Sequence, residues 1–184
     1  MTARRAPRAS EAEVVRAAAA HLERLGYRVR IDVDGTDYFD LIAQRGEEVG
    51  LVEAKVADAR TVLAQALRRR GWGDWTAVVL GSERAAERLA ARTARTRAGP
   101  IGIWSFGGGR VRVVRPARPW VEPGADDPFA ELRARFRRVL GALEEGSIPA
   151  GIRWDGLVRE IRRSSGGRGF SEWRLDETPS PPRD

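Results

Sequence analysis

Three residues have types and spacing that suit metal-assisted attack by water. Asp40 is followed, after twelve other residues, by Glu53-Ala54-Lys55. Both segments, YFDLIAQ and VGLVEAKV, are rich in apolar and β-branched residues and read as strands. On a strand of period two, Glu53 and Lys55 project from one face while Ala54 points away, and Asp40 on a paired strand can converge on that face. Two carboxylates are hard oxygen ligands suited to Mg²⁺ or Mn²⁺, which keep coordination positions for water and phosphate. An ion held there would polarise a phosphoryl oxygen, while Lys55 would position or activate the attacking water. The plain alternative is a solvated cross-strand ion pair. Against it, VGLVEAKV is otherwise apolar on both faces, where an unused charge pair is unfavourable.

Lys55 stands out by composition too. The chain has 33 basic residues, of which 32 are arginine and only Lys55 is lysine. An ammonium is a compact point charge that can give up a proton when buried, which guanidinium does not.

The elements that must position these residues are legible on either side. Ser10 and Glu13 form a capping box ahead of Val14, Val15, Ala18, Leu22 and Leu25, with Gly26 as a stop, so a helix is expected over about residues 11–25. YRVRID, YFDLIAQ and VGLVEAKV then read as three antiparallel strands, with an Asp34-Gly35 hairpin signal between the first two. A helix follows over 59–70, then the buried strand TAVVLG, a Ser82-capped helix, the strand IGIWSF, and RVRVV after Gly107-Gly108-Gly109. The order α-β-β-β-α-β-α-β-β predicts an α/β fold with a mixed sheet. Pro116, Pro119 and Pro123 punctuate the chain beyond it. The expected organisation is one domain over residues 1–118, a Pro-rich linker over 119–125, a helical extension over 126–175 and a flexible tail over 176–184. In the extension, Phe129, Leu132, Phe136, Val139, Leu140 and Leu143 make one amphipathic helix, and Leu157, Val158 and Ile161 a shorter one.

The acid, the E-x-K triplet and this order of elements resemble the PD-(D/E)XK nuclease superfamily, over roughly residues 10–115. Phe39 stands where the name of that superfamily has proline. The resemblance implies a restriction-endonuclease-like α-β-β-β-α-β core and a Mg²⁺- or Mn²⁺-dependent nuclease cutting DNA, with Asp40 and Glu53 as metal ligands and Lys55 catalytic. It also implies a metal ligand in the carbonyl of Ala54. In branches such as the archaeal Holliday-junction resolvases the first helix supplies a glutamate, for which Glu13 is the candidate, although its capping role explains it equally. Some branches carry a glutamine in the helix after the lysine, and Gln65, ten residues on from Lys55, is the candidate. Repair, restriction-like defence and mobile-element maintenance all suit such an enzyme, and many nucleases of this fold act as dimers, which the C-terminal helices would suit.

The remaining features are less specific. Arg68, Arg69, Arg70 and Trp72, with Trp75 beyond, combine phosphate-reaching charge with faces for base stacking, the alternative being a helix end followed by core tryptophans. Residues 126–184 hold 11 arginines and 11 acids, so the chain's net charge of +7 lies in the first 125 residues and favours a polyanionic partner. Recognisable RNA-module aromatics are absent, so DNA is preferred over RNA. A non-catalytic nucleic-acid-binding module of the same fold is the rival reading, although a retired site would tolerate arginine at position 55. Asp32, Asp34 and Asp37 sit near the hairpin signal, and Asp37, of opposite strand parity to Asp40, reads as turn chemistry; Ser164-Ser165 reads as a loop and His21 as a boundary or surface residue. The GGGRVR run lacks the helix that a phosphate-binding glycine loop needs. There is no cysteine, which excludes disulfides and thiolate metal sites. No apolar run of membrane-spanning length and no signal-like N-terminus is present, so a cytoplasmic location is expected.

Overall fold

A computed structural model describes residues 9–31, 39–121 and 126–145. The first helix, α1 (Glu11–Arg24), begins where the capping box puts it. The Ser10 hydroxyl accepts the Glu13 N–H at 3.3 Å, and the Glu13 carboxylate accepts the Ser10 N–H at 2.6 Å. It ends in a Schellman motif: Tyr27 N–H bonds back to the Leu22 carbonyl and Gly26 N–H to the Glu23 carbonyl, with Gly26 at φ 82°. A side chain at position 26 would meet the steric penalty of that left-handed region.

Six strands form one sheet in the order β1 to β6, as numbered along the chain. They are β1 (Arg28–Ile31), β2 (Leu41–Arg45), β3 (Glu48–Lys55), β4 (Trp75–Leu80), β5 (Gly102–Gly107) and β6 (Arg110–Arg115). The first three are antiparallel, β3, β4 and β5 are mutually parallel, and β6 returns antiparallel. Each parallel step is a crossover through a helix: α2 (Ala59–Arg68) joins β3 to β4, and α3 (Glu83–Thr93) joins β4 to β5. Asp58 caps α2 by accepting the Thr61 N–H at 2.9 Å, and Ser82 caps α3. The last described helix is α4 (Ala130–Glu144). The expected mixed α/β architecture is therefore present, with a six-stranded sheet and four helices among the described residues.

Helices cover both faces of the sheet, which is why β4 and most of β3 are buried on both sides. On one face α1 packs Val14, Ala18 and Leu22 against Leu41, Ala43, Val52, Ala54, Ala77 and Val79. On the other, α2 and α3 pack Val62, Ala66, Ala86 and Leu89 against Val78, Leu80 and Ile103. Beside them α4 sets Phe136 and Leu140 on Phe39, Ile42, Leu51 and Trp72. Gly50 of β3 lets the Trp75 indole lie across the strand, where a β-carbon would stand 2.0 Å from that ring.

The packing of α4 changes what its amphipathic stripe can do. Phe136 is fully buried, with ring centroids 5.5 Å from Phe39 and 5.7 Å from Trp72. Arg137 adds a polar tie, donating to both Asp74 oxygens at 2.7 and 2.8 Å, while Asp74 also accepts the Val49 N–H at 2.8 Å. The apolar face of α4, part of the extension that the sequence offered for dimerisation or docking, is thus packed on the chain's own sheet. The Asp34-Gly35 hairpin, the helix expected near 155–163 and Ser164-Ser165 lie outside the described residues. Among the described residues no helix is long and apolar enough to cross a membrane.

Candidate active site

Asp40 sits at a bend immediately before β2, one residue ahead of the strand in which the sequence places it. The β2–β3 register ends at Leu41 opposite Val52, and one step further would set Asp40 opposite Glu53. Instead of a backbone carbonyl, the Asp40 carboxylate takes the Ala54 N–H, at 2.6 Å. The acid is thereby bonded to the middle residue of the Glu-Ala-Lys triplet. In a strand the N–H and C=O of one residue point to the same side, so the Ala54 carbonyl also faces the side from which Asp40 comes. Lys55 points the other way along the ladder, where its carbonyl accepts the Gly81 N–H at 3.2 Å.

Strand alternation sets Glu53 and Lys55 on the face that carries Val49 and Leu51, opposite the α1 face that takes Val52 and Ala54. Phe39, next to Asp40, anchors that side: it is buried against Trp72 and Phe136, and the Arg69 guanidinium lies 5.4 Å from its ring centroid.

Each charged group has a partner. Glu53 is only 1% exposed and is paired with Arg69, itself 8% exposed. Lys55 donates to Glu11 at 2.6 Å, and this pair is far more open, with side chains 27% and 44% exposed. Burial holds the Asp40 carboxyl above its ordinary range, against the pull of the Ala54 N–H and the Lys55 and Arg69 cations and with the help of the Glu11 charge. The same balance brings Asp40, Lys55, Glu11 and Arg69 within electrostatic reach of one another.

The α1 acid that meets Lys55 is Glu11. Glu13 is exposed and held in the capping box, whose Ser10 hydrogen bonds keep its carboxyl below the ordinary range. Residues two apart on a helix differ by about 200°, so Glu11 and Glu13 cannot face the same way. The distinguishing signal was present in the sequence: Glu11, Val14, Ala18 and Leu22 fall at i, i+3, i+7 and i+11, in one stripe with the core residues. Arg69 had a similar signal, lying with Val62, Gln65 and Ala66 at i, i+3, i+4 and i+7 of α2 and its cap. Gln65 stands one turn before Arg69 on that side, and its Oε1 is buried with no hydrogen-bond partner among the described residues.

The expected nucleic-acid contacts divide. Arg68 is exposed, but Arg69 is turned inward onto Glu53, and Arg70 is half-buried where its backbone bridges to Gly73. Trp72 is 1% exposed and packs on Phe39 and Phe136, so its ring offers no face to a base; Trp75 is buried as well. Exposed arginine is found instead on α3, where Arg84, Arg88 and Arg92 lie at i, i+4 and i+8, followed by Arg95. This helix starts beside the site, because Gly81, which bonds Lys55, precedes its cap by one residue.

As a metal site the donor set is all oxygen: the Asp40 and Glu53 carboxylates and the side of β3 that presents the Ala54 carbonyl. Among the described residues no group of three or more histidine or acidic side chains forms a ready cage. Mg²⁺ does not require one, being held commonly by one or two carboxylates together with substrate phosphates and water. The chemistry of the donors fits such an ion, provided that Arg69 yields Glu53 to it.

No family model matches the chain, and comparisons with curated proteins and with solved structures find no match.

Proposed function

We propose that the chain is a metal-dependent nuclease of the PD-(D/E)XK type, with a restriction-endonuclease-like core, acting on DNA. The observation that carries this reading is the hydrogen bond from Ala54 N–H to Asp40, which gathers the two acids and the only lysine at one end of one strand pair. Asp40, Glu53 and the Ala54 carbonyl would hold Mg²⁺ or Mn²⁺, and the ion, when bound, supplies Lewis acidity to the phosphoryl group. Lys55 positions the attacking water and stabilises charge on the phosphate. Glu11 orients the Lys55 ammonium and is an acceptor for its proton. Gln65, one turn before Arg69 on α2, would contribute an acceptor through its unpartnered Oε1. The arginines of α3, with Arg68, track the phosphate backbone away from the site.

One observation favours the rival reading of a non-catalytic nucleic-acid-binding module: the Arg69 guanidinium neutralises Glu53 within the fold. Incubation with plasmid, linear and single-stranded DNA, and with RNA, in Mg²⁺, Mn²⁺ or EDTA separates the two. Cleavage that needs the ion and disappears in Asp40→Ala and Lys55→Ala is expected, with RNA cut less readily than DNA. Binding without cleavage, unchanged in both variants, would leave the binding module.

A further inference from the structure

A concavity lies on the α1 side of the sheet, toward the Glu48 end of β3 and away from Lys55. Its volume is about 250 Å³, and His21, Tyr27, Trp75, Trp104, Val113 and Pro116 contribute to its wall. An apolar cavity of about 150 Å³ takes one benzene ring, so this one has room for two fused rings. The walls are aromatic and mutually ordered: Tyr27 meets Trp75 edge to face at 5.7 Å, and His21 meets Trp104 at 5.4 Å.

The polar groups in this wall are not equally satisfied. Trp75 donates its indole N–H to Glu48 at 2.9 Å. Trp104 is 5% exposed, and its Nε1 has no hydrogen-bond partner among the described residues; His21 Nε2, also buried, has none either. An indole N–H is a donor only, so Trp104 calls for an acceptor. An orphaned buried donor is uncommon in folded proteins and calls for a cause, a molecule that completes the bond being one. No arginine or lysine lines the cavity. Glu48, at its edge, is already paired with Arg45 at 3.0 Å. An anion therefore finds no cation in the wall, and a cation finds a carboxylate that is already neutralised. Burial, followed by the Arg24 charge, lowers the His21 pKa, which favours the neutral imidazole.

We propose that this cavity binds an uncharged, planar, two-ring aromatic heterocycle whose acceptor atom takes the Trp104 Nε1–H. The inference does not depend on the nuclease reading. Such a ring system could arrive as a free small molecule or as a base displaced from a nucleic-acid strand, and the test separates the two.

The test is a titration of the full chain, with ¹⁵N-labelled tryptophan, followed by NMR. Benzimidazole and indole match in size and shape, but only benzimidazole carries a ring acceptor. Benzimidazole is expected to shift the Trp104 indole resonance, assigned by its loss in Trp104→Phe, and to bind at least about fivefold more tightly than indole. In Trp104→Phe that preference should vanish. Should the variant not fold, slower hydrogen exchange at Trp104 Nε1 of the native chain in benzimidazole is the equivalent reading. Adenine shifting the resonance alone assigns a free ligand, whereas a shift with oligo-dA as well assigns a base from a strand. A Trp104 resonance unmoved by every heterocycle at millimolar concentration, or equal binding of indole and benzimidazole, overturns the proposal.

Discussion

Replacing Arg69 by methionine keeps much of the aliphatic stem and removes the charge that faces Glu53. Because Glu53 is 1% exposed and Arg69 8%, the carboxylate left behind cannot recover its hydration. Breaking a buried ion pair by removing one partner costs about 3–5 kcal/mol, whereas removing an exposed partner costs about 1 kcal/mol or less. For a chain of 184 residues, at about 2–4 °C per kcal/mol, Arg69→Met should melt roughly 6–20 °C below the wild type in EDTA. Adding Glu53→Gln removes the stranded charge, so the double variant should be more stable than Arg69→Met alone. Mg²⁺ supplies a second arm. With Arg69 absent, an ion at one hundred times its Kd should restore about 2.7 kcal/mol to the single variant and little to the double variant. Circular-dichroism melts and urea titrations, each with EDTA or Mg²⁺, read the wild type, Arg69→Met, Glu53→Gln and the double variant. A loss below about 1 kcal/mol in Arg69→Met, or additive single effects, would refute the argument that this pair is a buried, coupled unit. Stabilisation by Mg²⁺ that is equal in the single and double variants would refute Glu53 as a ligand.

Three further outcomes are expected. Glu11→Gln should depress cleavage while changing stability by less than about 1 kcal/mol, since its pair with Lys55 is open to solvent; Ser10→Ala should cost about 1 kcal/mol through the lost cap with cleavage unchanged, and the reverse pattern in cleavage and melting assays would return the catalytic part to Glu13. Burial raises the Asp40 pKa, so the folded state holds that proton more tightly than the unfolded state, and stability from it is present at low pH and lost as pH rises through the folded pKa. Asp40→Asn keeps an acceptor for the Ala54 N–H without titrating, so in EDTA its stability advantage over the wild type should grow with pH over that window; a difference constant with pH would contradict the burial argument. Finally, Arg84→Ala with Arg88→Ala should flatten the slope of log K for DNA binding against log salt by about 1.8 if each arginine meets one phosphate, and an unchanged slope in a salt titration would remove α3 from the nucleic-acid surface.

Much of the fold was legible because its cues are local. Ser10 and Glu13, Asp58 and Ser82 cap helices within three residues of themselves, and the continuous apolar run of β4 reports burial on both faces. The common face of Glu53 and Lys55 follows from strand period alone. Asp40 was less legible, because the end of β2 is set by the hydrogen bond its own side chain makes with Ala54, fourteen residues along the chain. Trp72 shows the limit in another way: beside three arginines it reads as a stacking platform, and only its contacts with Phe39 and Phe136 make it core.

The sequence by itself determined the order of elements, their caps, the mixed α/β class and the parity that puts an acid and the single lysine on one strand face. These depend on spacing within a turn or two, where backbone geometry leaves few alternatives. Only the tertiary structure decided that Lys55 pairs with Glu11, that Arg69 pairs with Glu53, and that α4 covers the chain's own sheet. Lys55 and Glu11 are 44 residues apart, and Arg137 and Asp74 are 63 apart. Contacts over such separations form only when helices pack on the sheet at one register, and that packing is a property of the whole core.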